Sequence, residues 1–230
     1  MEFEKILRKY GRKKIKEWQG LGLEPHFLPK VSMMLGNDYP GWKVKPKKWF
    51  YDMLAQGKIL RDINGQLEPV TKAELPGATV LIDTRLKPVY KNGVQMWEGD
   101  NLLGLLIADL RKEGKIAKYD YGPQSSRFGV SANEWQEYVR PALANRLGLE
   151  PRQLRLECAI EANVIPQLYP YMPRKDDGKT NTWVWHEEYF GGGGPRLHGG
   201  VSDCGGLAGV HYNDAGRHWS YGAFRPLAAL

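Results

Sequence analysis

Cysteine is nearly absent: the 230-residue chain has two, Cys158 and Cys204. Two cysteines do not make a disulfide scaffold. Long apolar runs are missing as well. No stretch approaches the roughly 18 consecutive apolar residues that read as a membrane span, and the opening MEFEKILRKYGRKK is too charged for a secretory signal. These absences predict a cytoplasmic chain without a membrane partner, with export by another route left open. There are no internal repeats and no long low-complexity tracts. No histidine or cysteine spacing of the zinc type occurs. The four glycines at 191–194 lack the Lys-Ser/Thr pair that completes a phosphate-binding loop. Neither a metal nor another cofactor is therefore expected. Asp176, Asp177 and Gly178 read as a polar surface turn rather than a calcium loop.

Positive charge is what the chain has in excess, and it is unevenly placed. The formal net charge is +7. Residues 1–60 carry 13 Lys/Arg against 6 Asp/Glu, while the other 170 residues hold 20 of each. The basicity thus belongs to the N-terminal segment. It reads as a solvated basic helix face, as a nucleic-acid contact or as a docking module for another partner. Lys9, Arg12, Lys13, Lys14 and Lys16, then Lys43, Lys45, Lys47 and Lys48, interleave with Trp18, Trp42 and Trp49. The chain also has 8 Trp and 12 Tyr, types that serve cores and binding surfaces alike.

The hydrophobic pattern predicts an α+β protein. Phe3, Ile6, Leu7, Tyr10, Ile15 and Trp18 share one helix face over 3–18, closed by Gly20 and Gly22. A proline-bearing loop (Pro25, Pro29, Pro40, Pro46) leads to a short helix ending near Gly57. Asn64-Gly65 predicts a hairpin turn, and a boundary is expected at Leu75-Pro76-Gly77. Residues 1–75 then form a basic, mainly helical N-terminal segment, and 76–230 a second domain. Within the latter, 78–85 reads as a strand and 101–116 as an amphipathic helix. Ser131 and Glu134 form a capping box opening a helix that ends at Gly148, with a second helical segment starting at Pro141. Residues 151–165 read as a further helix. From about 180 onward, aromatic alternation and glycine-rich punctuation predict an irregular, loop-rich β region.

The last thirty residues have no single period. Between apparent anchors lie His198, Val201, Cys204, Gly209, His211, Tyr212, Asn213, Asp214, Gly216, Arg217, His218, Trp219, Ser220, Tyr221 and Gly222. A helix would impose a period of 3.6 and a core strand a period of 2. A binding surface imposes neither, and favours Tyr and Trp as anchors with Ser, Gly and Asn as adaptable contacts. Tyr212, Trp219 and Tyr221 are the expected anchors, and His211, Asn213, Asp214, Arg217 and Ser220 the polar contacts. Glycines 199, 200, 205 and 206 are expected in tight turns. Phe224 and Leu227 are expected in the core, with Arg225 in a hydrogen-bond network below the surface.

The combination Trp183-x-Trp185, Arg196-Leu197-x-Gly199-Gly200, Ser202-Asp203-x-Gly205-Gly206-Leu207-Ala208 and Ala223-Phe224-Arg225-Pro226-Leu227 resembles the variable proteins of diversity-generating retroelements. It is similar in particular to the set found in small-genome bacteria, archaea and their viruses. The stretches VLIDTRLKPVYKNGVQMW (80–97), YGPQSSRFGVSANEW (121–135) and ECAIEANVIPQLYPYMPRKDDGKTNTWVW (157–185) extend the likeness over about residues 75–230. The resemblance implies a C-type lectin fold of the formylglycine-generating-enzyme type. It implies a non-enzymatic, hypervariable ligand-binding protein, with the fifteen residues above as the variable set, a protein as the ligand, and display on a surface or virion as an open destination. Diversification at adenines adds a check: an Asn codon can become every residue type in that set except Trp, which singles out Trp219. Two alternatives stay beside this reading. One is an oxidoreductase like the formylglycine-generating enzymes, for which Cys158 and Cys204 would have to meet in one pocket. The other is a nucleic-acid-binding protein acting through the basic N-terminus.

Overall fold

A computed structural model describes residues 2–33, 48–84, 89–91, 94–96, 100, 102–168, 181–201 and 210–230. Helix α1 (Glu2–Leu21) opens the chain, followed by strand β1 (Leu23–Met33), helix α2 (Lys48–Ala55) and strands β2 (Ile59–Ile63), β3 (Gln66–Pro69) and β4 (Ala73–Asp83). Strands β5 (Val89–Lys91) and β6 (Val94–Met96) make a small ladder of their own. Helices α3 (Gly104–Lys112), α4 (Ala132–Glu134) and α5 (Arg140–Leu147) come next, α4 and α5 being joined by a π-turn at Trp135–Val139. Strand β7 (Leu154–Leu156), helix α6 (Ala159–Leu168), and strands β8 (Asn181–Phe190), β9 (Pro195–Val201), β10 (Val210–Asp214), β11 (Gly222–Phe224) and β12 (Pro226–Ala229) complete it. The class is α+β with an N-terminal helix.

One sheet has the order β1-β4-β12-β7 and the other β10-β9-β8-β2-β3, with β11 running parallel to β8. The ATVLID run explains the first sheet's position. Leu81 and Ala228 face a core built with Ile15, Trp18, Ile107, Trp135 and Phe224. Val80, Ile82 and Leu227 face a second core with Phe50, Leu54, Ile160 and Leu197. A strand covered on both faces reads as a continuous apolar run rather than an alternating one.

Several local readings of the sequence match the structure. Asn64 and Gly65 both take positive φ (55° and 87°) at the β2–β3 turn, as a two-residue hairpin requires. The Ser131–Glu134 capping box is made in both directions: the Ser131 hydroxyl accepts from Glu134 N at 3.2 Å, and the Glu134 carboxylate accepts from Ser131 N at 2.8 Å. Gly148 ends α5 with a left-handed φ of 64°.

Other readings need correction. Residues 23–33 form no loop. Pro25 and Pro29 lie in an edge strand, where a missing N–H costs no outer ladder bond. The expected boundary at 75/76 falls inside β4, which pairs with β1 from Leu23↔Asp83 to Met33↔Ala73. Strand β2 likewise pairs with β8, and α1 packs Ile6, Ile15 and Trp18 into the core shared with Trp185 and Phe224. The described part of the N-terminal segment therefore carries strands beside its two helices and is built into both sheets. Residues 151–165 do not make one helix: Leu154 and Leu156 are buried in β7 against β12, and α6 starts only at Ala159. Gly199 and Gly200 lie within β9 rather than in a turn.

Candidate functional site

The C-terminal arc from β10 to β11 lies at the edge of the larger sheet. His211, Tyr212, Asp214, Arg217 and His218 are exposed, and Asn213, Gly216, Ser220 and Tyr221 are partly so. Val210, Ala215, Trp219, Gly222, Ala223 and Phe224 between and after them are buried. Interior contacts hold the arc from below. The Ala215 carbonyl accepts from Asn133 N (3.0 Å), the Ser220 carbonyl from the Tyr119 hydroxyl (2.7 Å), and the Tyr221 carbonyl from Trp183 N (3.0 Å). The Asp214 carboxylate accepts from Gly216 N at 2.8 Å and shapes the turn that carries Arg217. His218 Nε2 lies 3.0 Å from the Glu134 carboxylate that closes the capping box. The arc therefore presents chemically varied side chains from a fixed backbone.

Three of the fifteen candidates are placed below that surface, which corrects their expected role as contacts. His198 occupies an interior strand and is 5 % exposed. Its ring meets those of Trp183 (4.4 Å), Trp219 (4.6 Å) and Trp185 (5.7 Å) nearly edge-on. Burial, followed by the nearby His186 and His211, pushes its pKa down to about 3. Trp219 is 8 % exposed and packs on Trp185 at 4.8 Å, beneath the Arg217 guanidinium. Gly222 is buried against the Trp219 ring, which a Cβ at this position would approach within 2.6 Å. The residue singled out by the adenine-codon check is thus a core residue. Val201 ends β9; Cys204 and Gly209 lie outside the described residues, as do Asp176, Asp177 and Gly178.

Two aromatic residues join the arc that its own sequence does not announce. Tyr212 stacks on Phe190 with ring centroids 3.9 Å apart and 14° between planes, and Trp49 of α2 lies 6.0 Å from the same Tyr212 ring. Trp49 is 163 residues from Tyr212 in the chain, and its sequence signals, an aromatic on a short helix among basic residues, do not point to the arc.

A buried network ties the arc to the rest of the fold. Arg127, wholly buried, grips the Asp100 carboxylate through Nη2 (3.0 Å) and Nε and reaches Asp83 through Nη1. Arg225 approaches Asp83 at 3.6 Å, in the subsurface network expected for it. Burial alone would lower the Arg127 pKa; the carboxylates of Asp100 and Asp83 more than reverse that. Arg111 plays a different part. Its guanidinium donates to the carbonyls of Ala117, Gln124, Ser126 and Phe128, and burial lowers its pKa to about 10.

Chemistry-bearing groups elsewhere are locked into structure. Cys158 is buried at the start of α6, and burial, then the charges of Glu188 and Glu161, push its thiol well up. A buried thiol of raised pKa is a poor nucleophile. Glu161 is chelated by Arg155 at 2.6 Å on both oxygens, and Glu188 accepts from Arg61 (3.0 Å) and Ala159 N (3.1 Å). Among the described residues, no group of three or more His, Cys, Asp or Glu could hold a metal ion. No helix among them is long and apolar enough to cross a membrane.

No family model and no curated protein matches the chain. What the site does rests on its geometry and on the motifs quoted above.

Proposed function

We propose that the chain is a hypervariable ligand-binding protein of the kind diversified by retroelements, in which a C-type-lectin-fold scaffold displays variable side chains toward a protein ligand. The observation that carries this reading is the partition within residues 210–224. The chemically diverse positions His211, Tyr212, Asp214, Arg217 and His218 are exposed, whereas Val210, Ala215, Trp219, Ala223 and Phe224 in the same stretch are buried. Such a partition lets the face be rewritten without rewriting the fold. Surface substitutions away from caps and networks stay within about 0.5 kcal/mol, whereas core truncations cost about 2–5 kcal/mol. The pairing of β4 with the C-terminal β12 also supports the reading, because it brings both ends of the proposed lectin region into one sheet. Tyr212 and Tyr221 serve as anchors, the exposed Tyr212 ring backed by Phe190 and the partly exposed Tyr221 ring by Trp219. Mechanism here means recognition, and no catalytic residue is assigned.

The test is a display library of the full chain randomised at His211, Tyr212, Asn213, Arg217, His218 and Ser220, panned against a panel of unrelated purified proteins. The expected result is folded clones with wild-type-like melting and selective binders to several targets. Clones that lose the fold, or a folded library that yields no binder, would overturn the assignment.

A further inference from the structure

We propose that the outward face of α1 binds the phosphate backbone of double-stranded nucleic acid. The helix carries seven Lys/Arg against three Asp/Glu. Its buried side is Ile6, Ile15 and Trp18; its exposed side includes Lys5, Arg8, Lys9, Arg12, Lys13 and Lys16. Within each part of the helix they are neighbours on one face, Lys5, Arg8 and Lys9 at i, i+3 and i+4, and Arg12 and Lys13 next to Lys16 at i+4 and i+3. The backbone breaks at Gly11 (φ 78°, ψ 158°), so the stripe consists of two triads, Lys5/Arg8/Lys9 and Arg12/Lys13/Lys16. The exposed carboxylates described on α1, Glu4 and Glu17, stand at its two ends, and Glu17 is engaged by Lys14 at 3.2 Å. Among the described residues, Arg8, Arg12, Lys13 and Lys16 have no carboxylate partner, and Lys9 lies over the Tyr10 ring.

A one-signed stripe, four of whose six cations have no carboxylate partner among the described residues, fits a polyanion. The remaining choice among polyanions follows from what surrounds the charges. An amphipathic helix binds a membrane by sinking its apolar face into the lipid, but that face of α1 is already spent on the core, with Trp18 wholly buried and its indole N–H donating to the Leu147 carbonyl at 3.1 Å. Single-strand binders stack bases on exposed aromatic side chains, and the described outward face of α1 has none. Phosphate contacts from a charged face, with no base reading, leave duplex nucleic acid bound independently of sequence.

The experiment measures binding of the full chain to a labelled DNA duplex of arbitrary sequence by fluorescence anisotropy between 50 and 200 mM NaCl. With about four to six phosphates engaged, affinity should fall on the order of 10²–10³-fold over that range. The combined variant Arg8→Gln, Lys9→Gln, Arg12→Gln, Lys13→Gln should lower the slope of log affinity against log salt by about three to four, at about one per cation removed. Because these four side chains are exposed and glutamine is a good helix former, melting should be unchanged. A control with the same net charge, Lys58→Gln, Lys112→Gln, Lys118→Gln, Arg152→Gln, should keep the wild-type slope. Absence of salt-dependent duplex binding overturns the proposal. So does equal loss in both variants, which would reduce the effect to net charge, or binding to phosphatidylserine vesicles with none to the duplex.

Discussion

Arg127→Met is expected to destabilise the protein by about 3–5 kcal/mol, the range for breaking a buried ion pair by removing one partner. Against a total stability of about 5–15 kcal/mol, that removes a large share of the margin. The reason lies in what stays behind. Asp83 and Asp100 are both buried, and Arg127 is the donor that reaches both. Without it, Asp83 keeps the more distant Arg225 at 3.6 Å, and Asp100 keeps the backbone N–H of Leu103 at 3.3 Å. Asp100 is then left in low dielectric with no cation among the described residues. The four groups also come from four places: the end of β4, the start of α3, the loop before α4 and the junction of β11 with β12. Their loss loosens the seam between the sheet and the proposed binding arc. Arg127→Lys keeps the charge but cannot chelate Asp100 and reach Asp83 together, so it should fall between wild type and Arg127→Met. Urea denaturation measures all three. An unfolding free energy for Arg127→Met within about 1 kcal/mol of wild type would contradict this account of the network.

The second large effect is a loss of stability in mild acid. His198 is neutral in the folded state because burial lowers its pKa from 6.5 to about 3, and burial lowers that of His186 as well. An unfolded chain binds protons on both rings below about pH 6.5, and the folded chain does not. Stability therefore falls as pH drops below 6.5 and continues to fall toward pH 3. Between pH 7 and pH 5, His198 alone should remove about 2 kcal/mol. Glu161, whose pairing with Arg155 outweighs its burial, titrates low in the fold. Its contribution is lost in the same direction but only below about pH 4.5, so the window from 5 to 7 isolates the histidines. His198→Phe should remove about 2 kcal/mol of that fall and leave the part that His186 contributes. It should also be tolerated at neutral pH, because the ring is surrounded by three indoles. Equal pH dependence in wild type and His198→Phe would place His198 outside the core.

Sequence reading succeeds here where punctuation and period agree locally. The Ser131–Glu134 box, Asn64-Gly65 and Gly148 each specify their own backbone, and the structure uses them. It fails where a distant partner decides. Nothing near Pro25 and Pro29 says that β4 will take residues 23–33 as an edge strand. Nothing within 151–165 says that Leu154 and Leu156 will pair with the C-terminal strand. The candidate site divides in the same way. An aperiodic run of mixed side chains flagged the arc, but which members face inward depends on Trp183 and Trp185 of β8, which fix His198 and Trp219 from one side. Trp219 was separable by codon logic; His198 was not, since an imidazole is as compatible with a variable contact as with a packed core.

The central claim, programmed variation on a fixed scaffold, is tested most directly by sequencing the DNA downstream of the gene. The account predicts a near-copy of the 3′ coding segment beside a reverse-transcriptase gene, with mismatches confined to adenines of the copy and falling on codons such as those of His211, Tyr212, Arg217 and His218, not on those of Ala215, Trp219 or Phe224. A downstream region with neither copy nor reverse transcriptase, or a copy whose mismatches fall on the buried residues, would contradict it.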